Sequence, residues 1–257
     1  MTRKGVNERM KFIQSIQNER VKAWKKLLTK KGRDKAGLFL VEGFHLVEEA
    51  LKQDFVLTLI KDEKIEFPIN WNVDGIEIYN TTASVVKELA ETETSQAVFA
   101  VCKQKKYEEK KYQKLLLLDG VQDPGNMGTI IRTADAAGVE IVVCGEGCVD
   151  IYNSKSLRST QGSIFHLPIV KANLTEYIHG LQDKNIPVFG TSLSNAIDYR
   201  EVETKECFAL VMGNEGNGVR EEILNQCTQN LYIPIYGGAE SLNVTVATGI
   251  LLYHLNK

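Results

Sequence analysis

No stretch of this 257-residue sequence approaches the ~18–20 consecutive apolar residues that a membrane-crossing helix needs. Its polar start, MTRKGVNERMK, lacks the apolar core of a secretory signal. The expectation is a soluble, cytoplasmic protein with no membrane partner. Cysteine is scarce as well: Cys102, Cys144, Cys148, Cys207 and Cys227 are an odd number scattered through apolar segments. That usage suits reduced intracellular thiols and excludes a disulfide framework. Cys144 and Cys148 are spaced like a ligand pair, but no second Cys/His pair accompanies them, so no metal is expected. The four histidines, His45, His166, His179 and His254, stand apart from one another and read as structural or surface residues. Internal repeats and low-complexity tracts are missing too. The sequons at Asn173 and Asn243 have no role in a cytoplasmic chain.

What is present is enough apolar residue, 43% of the chain, for one large core or two ordinary ones. The net charge of −2 hides an asymmetry: residues 1–35 hold twelve Lys/Arg against three Asp/Glu. Residues 36–102 come to −8, residues 103–113 to +3 and residues 114–257 to −6. Basic charge concentrated in an N-terminal arm suits a polyanion partner held by an appendage; a merely solvated terminus is the alternative.

Val21, Trp24, Leu27 and Leu28 recur at helical spacing among lysines, which predicts an amphipathic helix over 18–31 with one basic face. LFLV (38–41), FVLTLI (55–60) and AVFAVC (97–102) read as strands, with helices at 43–51 and 83–90, so residues 1–102 make a small α/β domain. KQKKYEEKKYQ (103–113) has no core pattern and reads as a linker. Beyond it, 114–257 forms a second domain. LLLLD (115–119), a helix over 127–137 and EIVVC (140–144) give strand, helix, strand, and PVFGTSL (187–193), CFALVMG (207–213) and LYIPI (231–235) add strands. Helices are expected at 174–182, 219–226 and 242–255. A buried parallel sheet follows.

Three segments place Gly, Asn or an acid directly after an apolar strand, at the end where open α/β sheets bind ligands. In the first, DGVQDPGNMGTIIRTADAAG (119–138), Pro124-Gly125 turn the chain, Asn126 is placed to cap the helix, and Arg132 follows near the start of that helix. A cation there opposes the helix dipole, which points to a functional arginine. The loop offers only Gly125-x-x-Gly128, neither the G-x-G-x-x-G of a dinucleotide site nor the G-K-[ST] of a P-loop. The second, VMGNEGNGVR (211–220), sets Asn214 and Glu215 among three glycines that let backbone approach a ligand. The third, IPIYGGAESLNVTVATGILLYHL (233–255), puts Ser241 and Asn243 before a helix rich in β-branched residues, which is poor in isolation and needs burial. Each segment alone is also readable as an ordinary turn or cap.

Together, NMGTIIRTADAAG, VMGNEGNGV and IPIYGGAESLNVTVATGILLYHL resemble, in order and approximate spacing, the three motifs of the SpoU (TrmH-like) group of SPOUT RNA methyltransferases. The resemblance covers most of 115–257. Residues 1–102, with LFLVEGFHLVEEAL (38–51), more weakly resemble the substrate-binding domain that precedes it in ribosomal RNA ribose methyltransferases. It implies a parallel sheet with a C-terminal trefoil knot, a topology that general folding rules would exclude. It implies a homodimer that binds S-adenosylmethionine and methylates a ribose 2′-hydroxyl of RNA, ribosomal rather than transfer RNA given the first domain. By motif position, cofactor contacts fall on Gly213, Ile233 and Leu242, with Thr191 or Leu193 from the preceding loop. Arg132 takes the place of the family's catalytic arginine, and Asn126, Glu215, Ser241 and Asn243 would hold the reacting groups. A guanidinium, with a pKa above ~12, is a poor base, so Arg132 is expected to bind the phosphate beside the target and orient the hydroxyl. Two rivals stand: an RNA-binding or ribosome-assembly protein without catalysis, for which those polar residues have no use, and a nicotinamide enzyme, which lacks its glycine fingerprint.

Overall fold

The computed structural model describes residues 10–107 and 110–257. The chain packs as two units: the residues up to Lys106 with Tyr152–Phe165, and Tyr107–Ile151 with His166–Lys257. The segment 152–165 lies within the stretch that the sequence assigns to the second domain, yet it packs with the first. Its rings account for that: Tyr152 lies tilted against Phe39 with ring centroids 4.4 Å apart, and Phe165 lies edge-on at 5.0 Å to Phe55.

The first unit holds five strands where the sequence shows three. They are β1 (Met10–Ile13), β2 (Leu38–Glu42), β3 (Val56–Asp62), β4 (Glu77–Thr81) and β5 (Val98–Lys103), in the order β1-β4-β3-β5-β2. β1, β4 and β3 run parallel, and β5 runs antiparallel to β3 and β2. The helix expected over 18–31 is two helices, α1 (Glu19–Lys26) and α2 (Lys30–Ala36). Thr29 breaks it by capping α2, its hydroxyl accepting from Gly32 N at 3.2 Å. Val21, Trp24 and Leu27 are buried, and Trp24 meets Tyr79 edge-on at 5.2 Å. The basic segment is therefore built into the core from α1 onward rather than hung from it; residues 1–9 of the arm lie outside the described residues. α3 (Phe44–Lys52) and α4 (Ala83–Leu89) complete the helices of this half. Of the linker segment, Lys105 is tied down, donating to Gln53 O at 2.7 Å, and residues 108–109 lie outside the described residues.

The second unit is built on seven strands, every pairing parallel: β6 (Lys114–Leu118), β7 (Ile141–Cys144), β8 (Ile169–Lys171), β9 (Val188–Thr191), β10 (Ile197–Asp198), β11 (Phe208–Met212) and β12 (Gln229–Tyr232). Their order is β10-β12-β9-β11-β6-β7-β8. Leu115–Leu118 are all buried because the sheet is covered on both faces. Leu115 and Leu117 join Ile178 and Leu181 of one helix (Leu174–Gln182) in a single cluster; the alternate residues point to the opposite face. From β6 the sheet grows to β7 and β8 on one side and to β11, β9 and β12 on the other. The order reverses at β6 and β11, and the ligand crevice of an open sheet lies at the carboxyl ends there.

Candidate active site

The loop after β6 begins with Asp119, buried to 2% exposure, and Gly120, which takes φ +73. The next helix, α5, spans Pro124–Ala136, three residues earlier than the sequence suggests. Asp123, not Asn126, is its cap: Asp123 Oδ1 accepts from Asn126 N at 2.8 Å, and Pro124 occupies the first helical position, where its missing N–H costs nothing. Freed from capping, the Asn126 side chain turns to other loops. Its amide donates to Glu215 Oε1 at 3.1 Å, and its Oδ1 accepts from Asn243 Nδ2 at 3.3 Å.

Glu215 also accepts the N–H groups of Gln122 (3.1 Å) and Asp123 (2.9 Å). Burial alone would raise its pKa, but these N–H groups and the Asn126 amide outweigh it and hold the carboxyl below its ordinary value. The loop that carries Glu215 is fixed from within. Asn214 and Gly218 exchange backbone hydrogen bonds, 2.9 Å each way, and Asn214 Nδ2 reaches Gly120 O at 2.9 Å. Gly213 has no room for a side chain, since a Cβ there would lie 2.1 Å from the Gly218 carbonyl carbon.

The third loop ends at α6, here the helix Val244–Leu255; Asn243 is its cap, accepting from Thr245 N at 2.8 Å and Thr245 Oγ1 at 2.6 Å. The cap is therefore Asn243 and not Ser241. Burial of Thr248, Leu251, Leu252 and Leu255 stabilises this β-branched helix, as expected, while Val246 and Tyr253 stay 50% and 63% exposed. It packs on α5: Tyr253 donates to Ala136 O at 3.3 Å and Asn256 Nδ2 to Ala137 O at 2.7 Å. One chain of hydrogen bonds, Asn243 to Asn126 to Glu215, thus ties the three loops together.

Beside it opens a cleft of about 410 Å³. Thr191, Leu193, Gly213, Ile233 and Leu242 all line it, with Glu215 and Ser241. Its other walls, Met212, Val219, Leu231 and Ile235, escaped the sequence reading because apolar strand ends look like core. A slot of glycine backbone and aliphatic walls with one ionised carboxylate suits a flat, neutral heterocycle joined to a cation.

Arg132 is elsewhere. It is the ninth of the thirteen residues of α5, exposed, absent from the lining of the cleft, and without a hydrogen-bond or ion-pair partner among the described residues. The earlier helix start moves it past the middle of α5, so the dipole argument for its function fails. Three residues on, Asp135 Oδ2 lies 2.7 Å from His166 Nδ1, so that histidine is not isolated. The sequence reading also missed Arg220. Its N–H and Nε–H donate to Asp119 at 2.9 Å each, joining the first loop to the second, and this pairing raises the arginine pKa. The available signal was an acid placed directly after strand LLLL.

Residues 113–253 match the model of the SpoU rRNA Methylase family, and residues 18–100 that of an MRM3-like substrate binding domain. Over 248 residues the chain is 49% identical to the Bacillus subtilis 23S rRNA (guanosine(2553)-2'-O)-methyltransferase RlmP, covering 96% of this chain and 99% of the relative. The AdoMet-bound rRNA methyltransferase from Sinorhizobium meliloti superposes with a TM-score of 0.85 at 30% identity, over 96% of this chain and 97% of that one. The SpoU methyltransferase AviRb from Streptomyces viridochromogenes, solved in complex with AdoMet, gives 0.82 at 27% identity, over 93% and 97%. Three loops tied together beside one cleft, a family model spanning more than half the chain and a relative alike from end to end lead to one conclusion: the chain belongs to the SpoU rRNA methylase family.

Proposed function

We propose that this protein is an S-adenosylmethionine-dependent methyltransferase that methylates a ribose 2′-hydroxyl of 23S ribosomal RNA, at the guanosine its Bacillus subtilis relative is named for. The observation that carries the reading is the Asn243–Asn126–Glu215 chain of hydrogen bonds beside a cleft whose wall includes Glu215 and the backbone of Gly213. Gly213, Ile233 and Leu242, with Thr191 and Leu193, would hold the methyl donor, and the ionised Glu215 beside them complements a sulfonium charge. That cofactor, when bound, supplies an electrophilic methyl group. Asn126, Ser241 and Asn243 fix the geometry around it. Arg132 binds the phosphate flanking the target and orients the 2′-hydroxyl for in-line attack, which lowers the barrier by positioning rather than by proton abstraction.

The C-terminal segment closes as a trefoil knot, and the protein works as a homodimer with the site near the interface. The exposed Val246 and Tyr253 on the last helix are apolar surface such a partner would cover. The first unit grips the RNA, and the cytoplasm is where this substrate is made. No metal takes part. Mapping 2′-O-methyl groups in RNA from cells with and without the protein tests the reading: one 23S guanosine should lose its methyl group. Loss from a transfer RNA instead would support the alternative substrate, and no loss anywhere a non-catalytic role.

A further inference from the structure

Cys144 ends β7 and is buried; Cys148 follows across the turn 145–147 and is partly exposed. β7 pairs Cys144 beside Leu118, and the turn brings Cys148 back so that its S–H donates to the Leu118 carbonyl at 3.3 Å. The two thiols thus flank one residue, close enough for each to shift the other's titration. The same turn rests on the loop after β6. Gly145 N–H donates to Leu118 O at 2.8 Å, Val149 N–H to Val121 O at 2.9 Å, and a Cβ on Gly147 would sit 3.5 Å from Gly120 Cα. That loop is the one whose Gln122 and Asp123 N–H groups hold Glu215. Methyl transfer makes no use of either sulfur.

We propose that Cys148 is a hydroperoxide-reactive thiol and Cys144 its resolving partner, the pair closing reversibly to a disulfide that loosens the loop after β6. Reactivity follows the thiolate. The Cys144 thiol, opposed by desolvation but helped by the Val121 and Gly120 N–H groups, lowers the Cys148 pKa to about 7. The Asp119 charge works against ionisation and is outweighed; the protonated Cys148 donates to the Leu118 carbonyl. Cys144 is pushed the other way, by Cys148 and by burial, so it stays protonated until its sulfur attacks, and its proton then leaves with the sulfenic acid's hydroxide. Burial pushes Cys227 up to about 12 and Cys102 further still, so neither competes.

The Cys148 thiolate attacks one oxygen of the peroxide. The O–O bond breaks, and the leaving hydroxide takes a proton to become water, leaving a sulfenic acid. The Cys144 sulfur then attacks the Cys148 sulfur. An S–S bond forms, the S–O bond breaks, and the hydroxide leaves as water with the Cys144 proton. Two thiols lose two electrons, hydrogen peroxide is reduced to two waters, and a cellular dithiol reverses the step. Bond formation brings the two sulfurs to about 2.05 Å. Gly145 and Gly147, the latter at φ +82, let the turn follow, and Cys148 leaves the loop it supports.

Both cysteines fall on one tryptic peptide, 133–155, so the test is direct and does not depend on the methyltransfer reading. The full-length protein is treated with a few equivalents of hydrogen peroxide, alkylated and mapped by mass. Peptide 133–155 should lose two hydrogens and both alkylation sites before Cys207 or Cys227 reacts, and dithiothreitol should restore them. Cys144→Ser should stop at a dimedone-reactive sulfenic acid on Cys148, and Cys148→Ser should leave Cys144 reduced. Earlier oxidation of Cys207 or Cys227, or overoxidation of Cys148 without the two-hydrogen loss, would overturn the assignment. Methyl transfer by the disulfide form should fall several-fold and recover with dithiothreitol, while Cys148→Ser keeps its rate in peroxide. An unchanged rate after full conversion would overturn the link to the loop.

Discussion

Arg132 stands without a described partner, which suits a side chain whose partner is a phosphate. Both Arg132→Ala and Arg132→Lys should reduce methyl transfer by about 100-fold or more, the scale of removing one oriented transition-state contact, because an ammonium cannot reproduce the planar fork. Calorimetry should show S-adenosylmethionine binding nearly unchanged in both; full activity in either would end the assignment. Glu215 is the opposite case, a carboxylate held by four neighbours' hydrogens. Its folded pKa lies below its unfolded one, so the stabilisation it provides is present above the ordinary carboxylate range and is lost as pH falls through the folded value. Thermal denaturation of Glu215→Gln should therefore depend less on pH between about 5 and 3 than that of the parent. A parallel pair of curves would mean the carboxylate contributes nothing to the loop. The five lining residues were legible through the family resemblance, whose motif positions carry them over without knowledge of the fold. Arg132 was legible only through the family resemblance, since the electrostatic argument for it rested on a helix start that Asp123 and Pro124 had moved.

Helices and strands show the same division between local and distant signal. Strands β6, β7, β9 and β11 were readable as apolar runs because a covered parallel sheet needs apolar residues on both faces. β4 escaped because three of its five residues, Glu77, Asn80 and Thr81, are polar, β1 because it is only four residues long with a lysine among them, and β10 because it is two residues long. Nothing local marks 152–165 as belonging with the first unit; its rings do so only once Phe39 and Phe55 are in place. The joint between the first two loops of the candidate site is likewise a long-range pair. Arg220→Ala would leave the Asp119 carboxylate buried with its best partner gone, costing on the order of 2 kcal/mol, since the exposed guanidinium is partly screened. Asn243→Ala removes a helix cap worth about 1 kcal/mol and the link to Asn126 as well. Denaturant unfolding should show both losses. The cap variant should also bind S-adenosylmethionine more weakly, because Leu242 beside it lines the cleft.

Across the whole molecule the basic N-terminal charge changes its form. Of the basic residues from Lys11 to Lys35, Lys11 and Arg20 pair with Glu77, Lys22 with Glu19 and Lys25 with Glu88, while Arg33 is buried and donates to Leu27 O at 2.8 Å. Lys26, Lys30, Lys31 and Lys35 are exposed and in no ion pair among the described residues. They cluster at the end of α1 and along α2, a rigid patch rather than a loose arm. Deleting residues 1–35 to test RNA binding would remove buried Val21, Trp24 and Leu27 and destabilise the first unit by several kcal/mol. Replacing the four lysines with glutamine removes the charge and leaves that core intact, so the thermal midpoint should stay within a few degrees. If the patch meets phosphates, each phosphate that is no longer neutralised lowers the slope of log affinity against log salt by ~0.7 for single-stranded RNA, about 3 units for four. Filter binding to a 23S fragment over a salt series should show the flattened slope and weaker binding at low salt. An unchanged slope in a folded variant would mean that these lysines only keep the surface solvated and that the RNA is held elsewhere on the chain.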